Sequence, residues 1–212
     1  MPETRILLVD DHPVALKGLQ VALRNRHPEF AIDETGSIAG AEELVYRRKP
    51  YKLLVLDYEL PDAVGFSGFF RLRQAISETP IAILSSRAEP AVISTAKALG
   101  AAGILLKTEG LDELADHVDT LLNGQPVFPS DVPSHSGIKD LNARLRTLST
   151  AQLRVLMALA GGALNKQIAA DLDLSEATVK AHLTAIFRKL GVSNRLQALL
   201  ATRMLLEPAL PK

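Results

Sequence analysis

The sequence contains no cysteine, which excludes a disulfide framework, a thiolate zinc site and a cysteine nucleophile. It has no apolar run near the roughly 18 residues of a bilayer span. Its start, MPETRILLVDD, is too acidic and too short in apolar residues to read as a signal peptide. A cytoplasmic protein without membrane contact is expected. No internal repeat and no low-complexity tract is found. Five histidines, His12, His27, His117, His135 and His182, are scattered along the chain, and no metal or catalytic role is expected of them. Net charge is also missing, because 24 Lys and Arg balance 24 Asp and Glu.

That balance conceals a division. Residues 1–122 carry 13 Lys and Arg against 18 Asp and Glu, whereas residues 123–212 carry 11 against 6. An acidic part is therefore tethered to a basic one. Attraction of the basic part to nucleic acid and simple solvation both fit an excess of this size. With 212 residues, 47% of them apolar, the chain suits two globular domains.

Residues 1–122 alternate short apolar runs with helical segments, the pattern of βα units around a parallel sheet. The spacing predicts strands at Arg5 to Val9, Ala31 to Thr35, Lys52 to Leu56, Ile81 to Leu84 and Gly103 to Leu106. Leu16, Leu19 and Leu23 in the first helix, and Leu111, Leu114, Val118 and Leu121 in the last, are expected to face the sheet. The stretch 123–147, rich in Pro, Gly, Ser and Asn, reads as a linker. Residues 148–212 have helical apolar spacing and are expected to form a small all-α domain.

In an open α/β sheet, ligands bind beyond the carboxyl ends of the strands. At those ends the sequence has Asp10 and Asp11, Asp57, Ser85 and Lys107. Three carboxylates in one crevice repel each other unless a hard cation joins them, and oxygen-only ligands imply Mg²⁺. With that charge neutralised, Asp57 could attack a phosphoryl group while Ser85 and Lys107 hold its oxygens. Asp10 and Asp11 before His12-Pro13 equally suit capping of the first helix. Glu59 and Arg87 each follow two residues after a site residue, and they read either as a pair across the mouth or as two solvated charges.

The segments LLVDDHPVALKGL, LLVLDYELPD, AILSS and GAAGILLKTEG resemble the motif blocks of response-regulator receiver domains, over residues 1–122. The resemblance implies a five-stranded parallel, doubly wound, flavodoxin-like α/β receiver. It implies that Asp57 accepts phosphate and that Asp10, Asp11 and Asp57 serve Mg²⁺, with Asp11 the direct ligand of the first two. Glu59 would add its backbone carbonyl, Ser85 would be the hydroxyl switch residue, and Lys107 would bind the phosphoryl group. Receivers often place an aromatic residue where this sequence has Ile104. LLVLDYEL also resembles the nucleophile segment of haloacid-dehalogenase-type phosphatases. Against that reading, Asp57 follows the third strand and no acidic pair comes after Lys107.

In the basic part, Ser149 and Gln152 form an S-x-x-Q capping box that starts a helix with Leu153, Leu156, Leu159 and Ala160 inward, ended by Gly161-Gly162. A short helix at Lys166 to Leu172 follows, with Ile168, Ala169 and Leu172 inward. Ser175 then caps a third helix, Glu176 to Leu190, whose buried stripe is Val179, Leu183, Ile186 and Leu190. On its other side Lys180, Thr184 and Arg188 repeat every four residues, a line able to enter a major groove or simply to be solvated.

Over residues 146–206 the sequence, especially NKQIA, SEATVKAHL and KLGVSNR, resembles the LuxR-type helix-turn-helix of NarL/FixJ response regulators. The resemblance implies a small four-helix domain with the third helix as recognition helix. Lys180, Ala181 and Thr184 would face the groove, with Asn165, Lys166, Thr178 and Arg195 near the DNA backbone. A final helix, about Arg195 to Leu206, would pair with its copy in a homodimer. Together the two resemblances imply a transcriptional regulator rather than an enzyme, in which a sensor histidine kinase phosphorylates Asp57 and so controls DNA binding.

Overall fold

The computed structural model describes residues 4–48, 50–63, 65–76, 78–87, 89–129, 144–145 and 147–206. Most of the expected linker 123–147, with His135, and the residues after 206 lie outside the described residues.

The elements follow in the order β1 (Arg5–Val9), α1 (Pro13–Arg26), β2 (Ala31–Thr35), α2 (Ile38–Arg48), β3 (Leu53–Asp57), α3 (Ser67–Ala75), β4 (Ile81–Ser85), α4 (Pro90–Leu99), β5 (Gly103–Leu106) and α5 (Leu111–Leu122). Four further helices come next: α6 (Thr150–Ala160), α7 (Asn165–Asp171), α8 (Glu176–Leu190) and α9 (Arg195–Leu206). One compact unit holds the five strands with α1, α2, α3 and α5; α4 and the four C-terminal helices belong to the other.

The sheet is parallel throughout, in the order β2-β1-β3-β4-β5. Its central strands are apolar at nearly every position because helices cover both faces, which demands continuous rather than alternating hydrophobicity. Ile6, Leu8, Leu53, Val55, Ala82, Leu84 and Leu105 form one core with Leu19 and Leu23 of α1 and Leu114, Val118 and Leu121 of α5. Leu111 departs from the expected stripe: it opens α5 in the first turn, is 47% exposed and lies against Gly18 of α1. Leu16 is half-buried at the rim of the same core. Packing on the sheet continues beyond α5, where the Ile104 N–H donates to Val127 O at 2.7 Å. A Cβ on Gly103 would come within 2.6 Å of that same carbonyl oxygen, so only glycine fits beside it.

Strands β3 and β4 each begin or run one residue later than their apolar runs suggest. Asp57 pairs with Leu84 and Ser85 with Leu106, so both polar residues are strand-terminal rather than loop residues. Backbone pairing continues where apolar character stops, and this fixes both side chains on a rigid element.

In the second unit Leu145, Leu148, Val155, Leu156, Leu159, Ile168, Val179, Leu183, Ile186 and Leu190 share a core. The inward face of α6 is centred on Val155, Leu156 and Leu159, while Leu153 and Ala160 are only half-buried. Helix α7 begins at Asn165 and Leu172 is its C-cap, one residue earlier at each end than the apolar spacing suggests. Ser149 and Gln152 form the expected capping box of α6. Gly191 ends α8 at φ 67°, and a Cβ there would collide with the Arg144 guanidinium, which donates to Leu190 O at 2.8 Å. Lys189 Nζ donates to Thr147 O at 2.6 Å and to Gln152 Oε1 at 2.8 Å, tying the end of α8 to the start of α6. No helix among the described residues is long and apolar enough to cross a membrane.

Candidate phosphate-accepting site and nucleic-acid interface

The strand order reverses between β1 and β3, and the crevice at their carboxyl ends is where an α/β sheet opens to a ligand. Asp10 and Asp11 leave β1, Asp57 ends β3, and Lys107 follows β5. Lys107 Nζ lies 2.8 Å from Asp57 Oδ2 and 2.9 Å from Asp10 Oδ2. Asp10 and Asp57 are almost fully buried, at 1% and 3% exposure, whereas Asp11 is exposed. Asp10 Oδ1 accepts from the His12 backbone N–H at 2.9 Å, and Asp57 Oδ1 accepts from the Glu59 N–H at 3.3 Å.

One ammonium is thus shared by two buried carboxylates. Burial pushes the Asp57 carboxyl up to about 6; Lys107 opposes that rise, and the neighbouring Asp10 charge adds to it. Asp10 is buried as well, yet contacts with Lys107 and the His12 N–H hold it below the ordinary carboxylate range. For Lys107, desolvation is outweighed by its two carboxylate partners, which raise its affinity for the proton. Carboxyl oxygens of Asp10, Asp11 and Asp57 and a ring nitrogen of His12 all lie within 4.8 Å of one another. The donor set is rich in hard oxygens and short of positive charge, and it fits a divalent cation.

The remaining expected residues stand around this pocket. The Ser85 hydroxyl donates to Arg87 O at 2.9 Å and accepts from Arg87 N at 3.3 Å, so it closes a local turn. Glu59 and Arg87 meet at 3.5 Å, and the Ser86 hydroxyl donates to Glu59 at 3.3 Å. Ile104 is buried in β5, an aliphatic side chain filling the place where an aromatic is common in the family it resembles. Among the histidines, His12 stands at this pocket: its Nδ1 sits 3.0 Å from both Asp10 Oδ1 and Asp11 Oδ1. Its position after two aspartates was the available signal, but sequence does not reveal which way the ring turns.

In the second unit α8 is capped by the Ser175 hydroxyl, which accepts from the Thr178 N–H at 3.0 Å. Val179, Leu183, Ile186 and Leu190 are buried, and Lys180, Ala181, Thr184 and Arg188 are exposed. The Thr184 hydroxyl donates back to Lys180 O at 3.0 Å. Lys166 is exposed in the first turn of α7, and Thr178 is half-buried at the start of α8. Arg195 donates to Ala163 O at 2.7 Å and reaches Asn165 Oδ1 at 3.5 Å, so these two expected backbone contacts are brought together.

Comparison with known proteins gives this geometry a family. Residues 6–119 match the family described as response regulator receiver domain, and residues 146–202 match bacterial regulatory proteins of the luxR family. The chain is 32% identical over 209 residues to the glycerol metabolism activator of Pseudomonas putida, covering 93% of this chain and 94% of that one. It is 34% identical over 198 residues to the probable transcriptional regulatory protein SgaR of Hyphomicrobium methylovorum, covering 91% and 89% respectively. Among solved structures, RcsB of Salmonella enterica serovar Typhimurium, bound to a promoter in the presence of phosphomimetic BeF3⁻, shares the fold. The TM-score is 0.56 with 23% identity, over 95% of this chain and 98% of that one. Receiver domains generally bind Mg²⁺ at an acidic pocket, and Asp10, Asp11 and Asp57 form such a cluster here. The chain belongs to the response regulators that join a receiver domain to a LuxR-type DNA-binding domain, and it is a transcriptional regulator of the two-component type.

Proposed function

We propose that Asp57 accepts a phosphoryl group from a sensor histidine kinase and that this modification controls DNA binding by the C-terminal domain. The observation that carries the proposal is the meeting of Asp57 and Asp10 on one Lys107 ammonium at the carboxyl end of the sheet. An oxygen of Asp57 attacks phosphorus, the bond to the kinase histidine breaks, and the histidine nitrogen keeps the electron pair. Lys107 turns from its carboxylates toward the phosphoryl oxygens, and Ser85 exchanges its bond to Arg87 O for one to the phosphoryl group. Asp10, Asp11 and Asp57, with the backbone carbonyl of Glu59, would hold Mg²⁺, which when bound supplies charge neutralisation for the transferring group.

Residues 1–122 are the phosphate-accepting domain in this reading, 123–147 the linker and 148–212 the DNA-binding domain. The exposed line Lys180, Ala181 and Thr184 on α8 reads bases, with Arg188 beside it, and Asn165, Lys166, Thr178 and Arg195 serve the DNA backbone. The RcsB complexes carry DNA and include two dimers on parallel DNAs; for this chain a homodimer through α9 is proposed. The protein acts in the cytoplasm, where its DNA lies, and its activity is regulation rather than catalytic turnover. Footprinting across a genome with and without a phosphodonor tests the proposal. Site occupancy that changes on phosphorylation supports it, and identical footprints contradict it.

A further inference from the structure

His12 brings a ring nitrogen in among the carboxylates of the pocket. Its Nδ1 lies 3.0 Å from Asp10 Oδ1, 3.0 Å from Asp11 Oδ1 and 3.9 Å from Asp57 Oδ2. Adjacent ligand atoms around a small octahedral cation with bonds of roughly 2.1 Å are roughly 3 Å apart, and opposite ones roughly 4 Å. The contact with Asp10 Oδ1 is a hydrogen bond, and the same spacing suits a fellow ligand once a cation displaces the proton between them. The side chain is 63% exposed, so its bond to Asp10, rather than close packing, holds the ring where it is. Its backbone is fixed, because the His12 N–H donates to Asp10 Oδ1 and Pro13 begins α1 immediately afterwards.

We infer that His12 supplies a nitrogen ligand to the cation pocket and biases it toward divalent ions that accept imidazole. Mg²⁺ prefers oxygen and gains little from an imidazole, whereas Co²⁺ and Mn²⁺ take mixed nitrogen and oxygen sets. The ring binds through the Nδ1 lone pair, with its proton on Nε2. Selectivity among metals thus resides in one exposed residue beside the three carboxylates. The inference rests on the proposed cation pocket and adds to it the ion that the pocket favours.

Titration calorimetry of the full chain with Co²⁺ and with Mg²⁺ separates the two ideas. In His12→Ala, Co²⁺ affinity is expected to fall about tenfold or more while Mg²⁺ affinity stays within about twofold. In Asp11→Ala both ions are expected to bind more weakly. Pulsed electron paramagnetic resonance of the Mn²⁺-loaded wild type is expected to show imidazole nitrogen modulation that His12→Ala lacks. Failure of the wild type to bind any of these ions overturns the pocket itself. Normal binding with an unchanged ratio of Co²⁺ to Mg²⁺ affinity, or without nitrogen modulation, overturns the role of His12 alone.

Discussion

Lys107 Nζ stands 2.8 Å from Asp57 Oδ2, joining a half-buried ammonium to a buried carboxylate at the end of β3. The ammonium neutralises part of the pocket's negative charge and competes with any cation drawn to it. Lys107→Ala is expected to bind divalent cations at least as tightly as the wild type, because a like charge is removed. Phosphorylation from a small phosphodonor is expected to slow by about tenfold or more, because the incoming oxygens lose their fixed partner. Cation titration and the rate of phosphoprotein formation check both halves.

Arg87 and Glu59 face each other at 3.5 Å across the mouth of the pocket, and Arg87 also reaches Glu89 at 3.5 Å. Both partners are about half exposed, so the pair contributes little to stability. Its expected effect is on water access to the phosphoryl group. Arg87→Ala should shorten the lifetime of the phosphorylated form by roughly twofold to fivefold, with an unchanged melting temperature. An unchanged lifetime would remove the gate from the mechanism.

Lys180 is exposed on α8, whereas the Thr184 hydroxyl is bonded to its own helix backbone. Lys180→Ala is expected to weaken operator binding and to narrow the difference in affinity between operator and unrelated DNA. Thr184→Ala is expected to have the smaller effect, because its hydroxyl must first leave Lys180 O. Binding isotherms with operator and with unrelated DNA measure both.

Asp33 provides the pH dependence. It is buried, and Tyr51, Arg5 and Arg48 all donate to it. Burial alone would raise its carboxyl, but these three donors hold it below the ordinary carboxylate range. A carboxyl depressed in the folded state stabilises the protein above its unfolded value and loses that contribution as pH falls through the folded one. Asp33→Asn is expected to cost about 1–3 kcal/mol near neutrality and to flatten the acid limb of stability below about pH 4. Denaturant midpoints across pH measure the difference.

The sheet was legible because strands covered on both faces read as continuous apolar runs, and Arg5–Val9, Ala31–Thr35 and Gly103–Leu106 match their expected bounds. The apolar runs stop at Leu56 and Leu84 while the strands go on to Asp57 and Ser85, since apolar character ends before backbone pairing does. In the second unit the spacing of Val179, Leu183, Ile186 and Leu190 with Gly191 gave both ends of α8. What sequence does not encode is long-range side-chain direction. The Arg144 bond to Leu190 O, the Lys189 bond to Gln152 and the inward turn of His12 Nδ1 depend on neighbours brought close only by folding. The Ser85 hydroxyl is a local case of the same limit, because its bond to the Arg87 backbone follows from a turn that composition alone does not specify.

The central claim is that Asp57 is the phosphate acceptor. Intact-mass measurement after incubation with Mg²⁺ and a small phosphodonor tests it most directly, comparing the wild type with Asp57→Asn. The account expects one phosphoryl group on the wild type, lost when Mg²⁺ is chelated, and none on the variant. A phosphoryl group of equal yield on Asp57→Asn would contradict it.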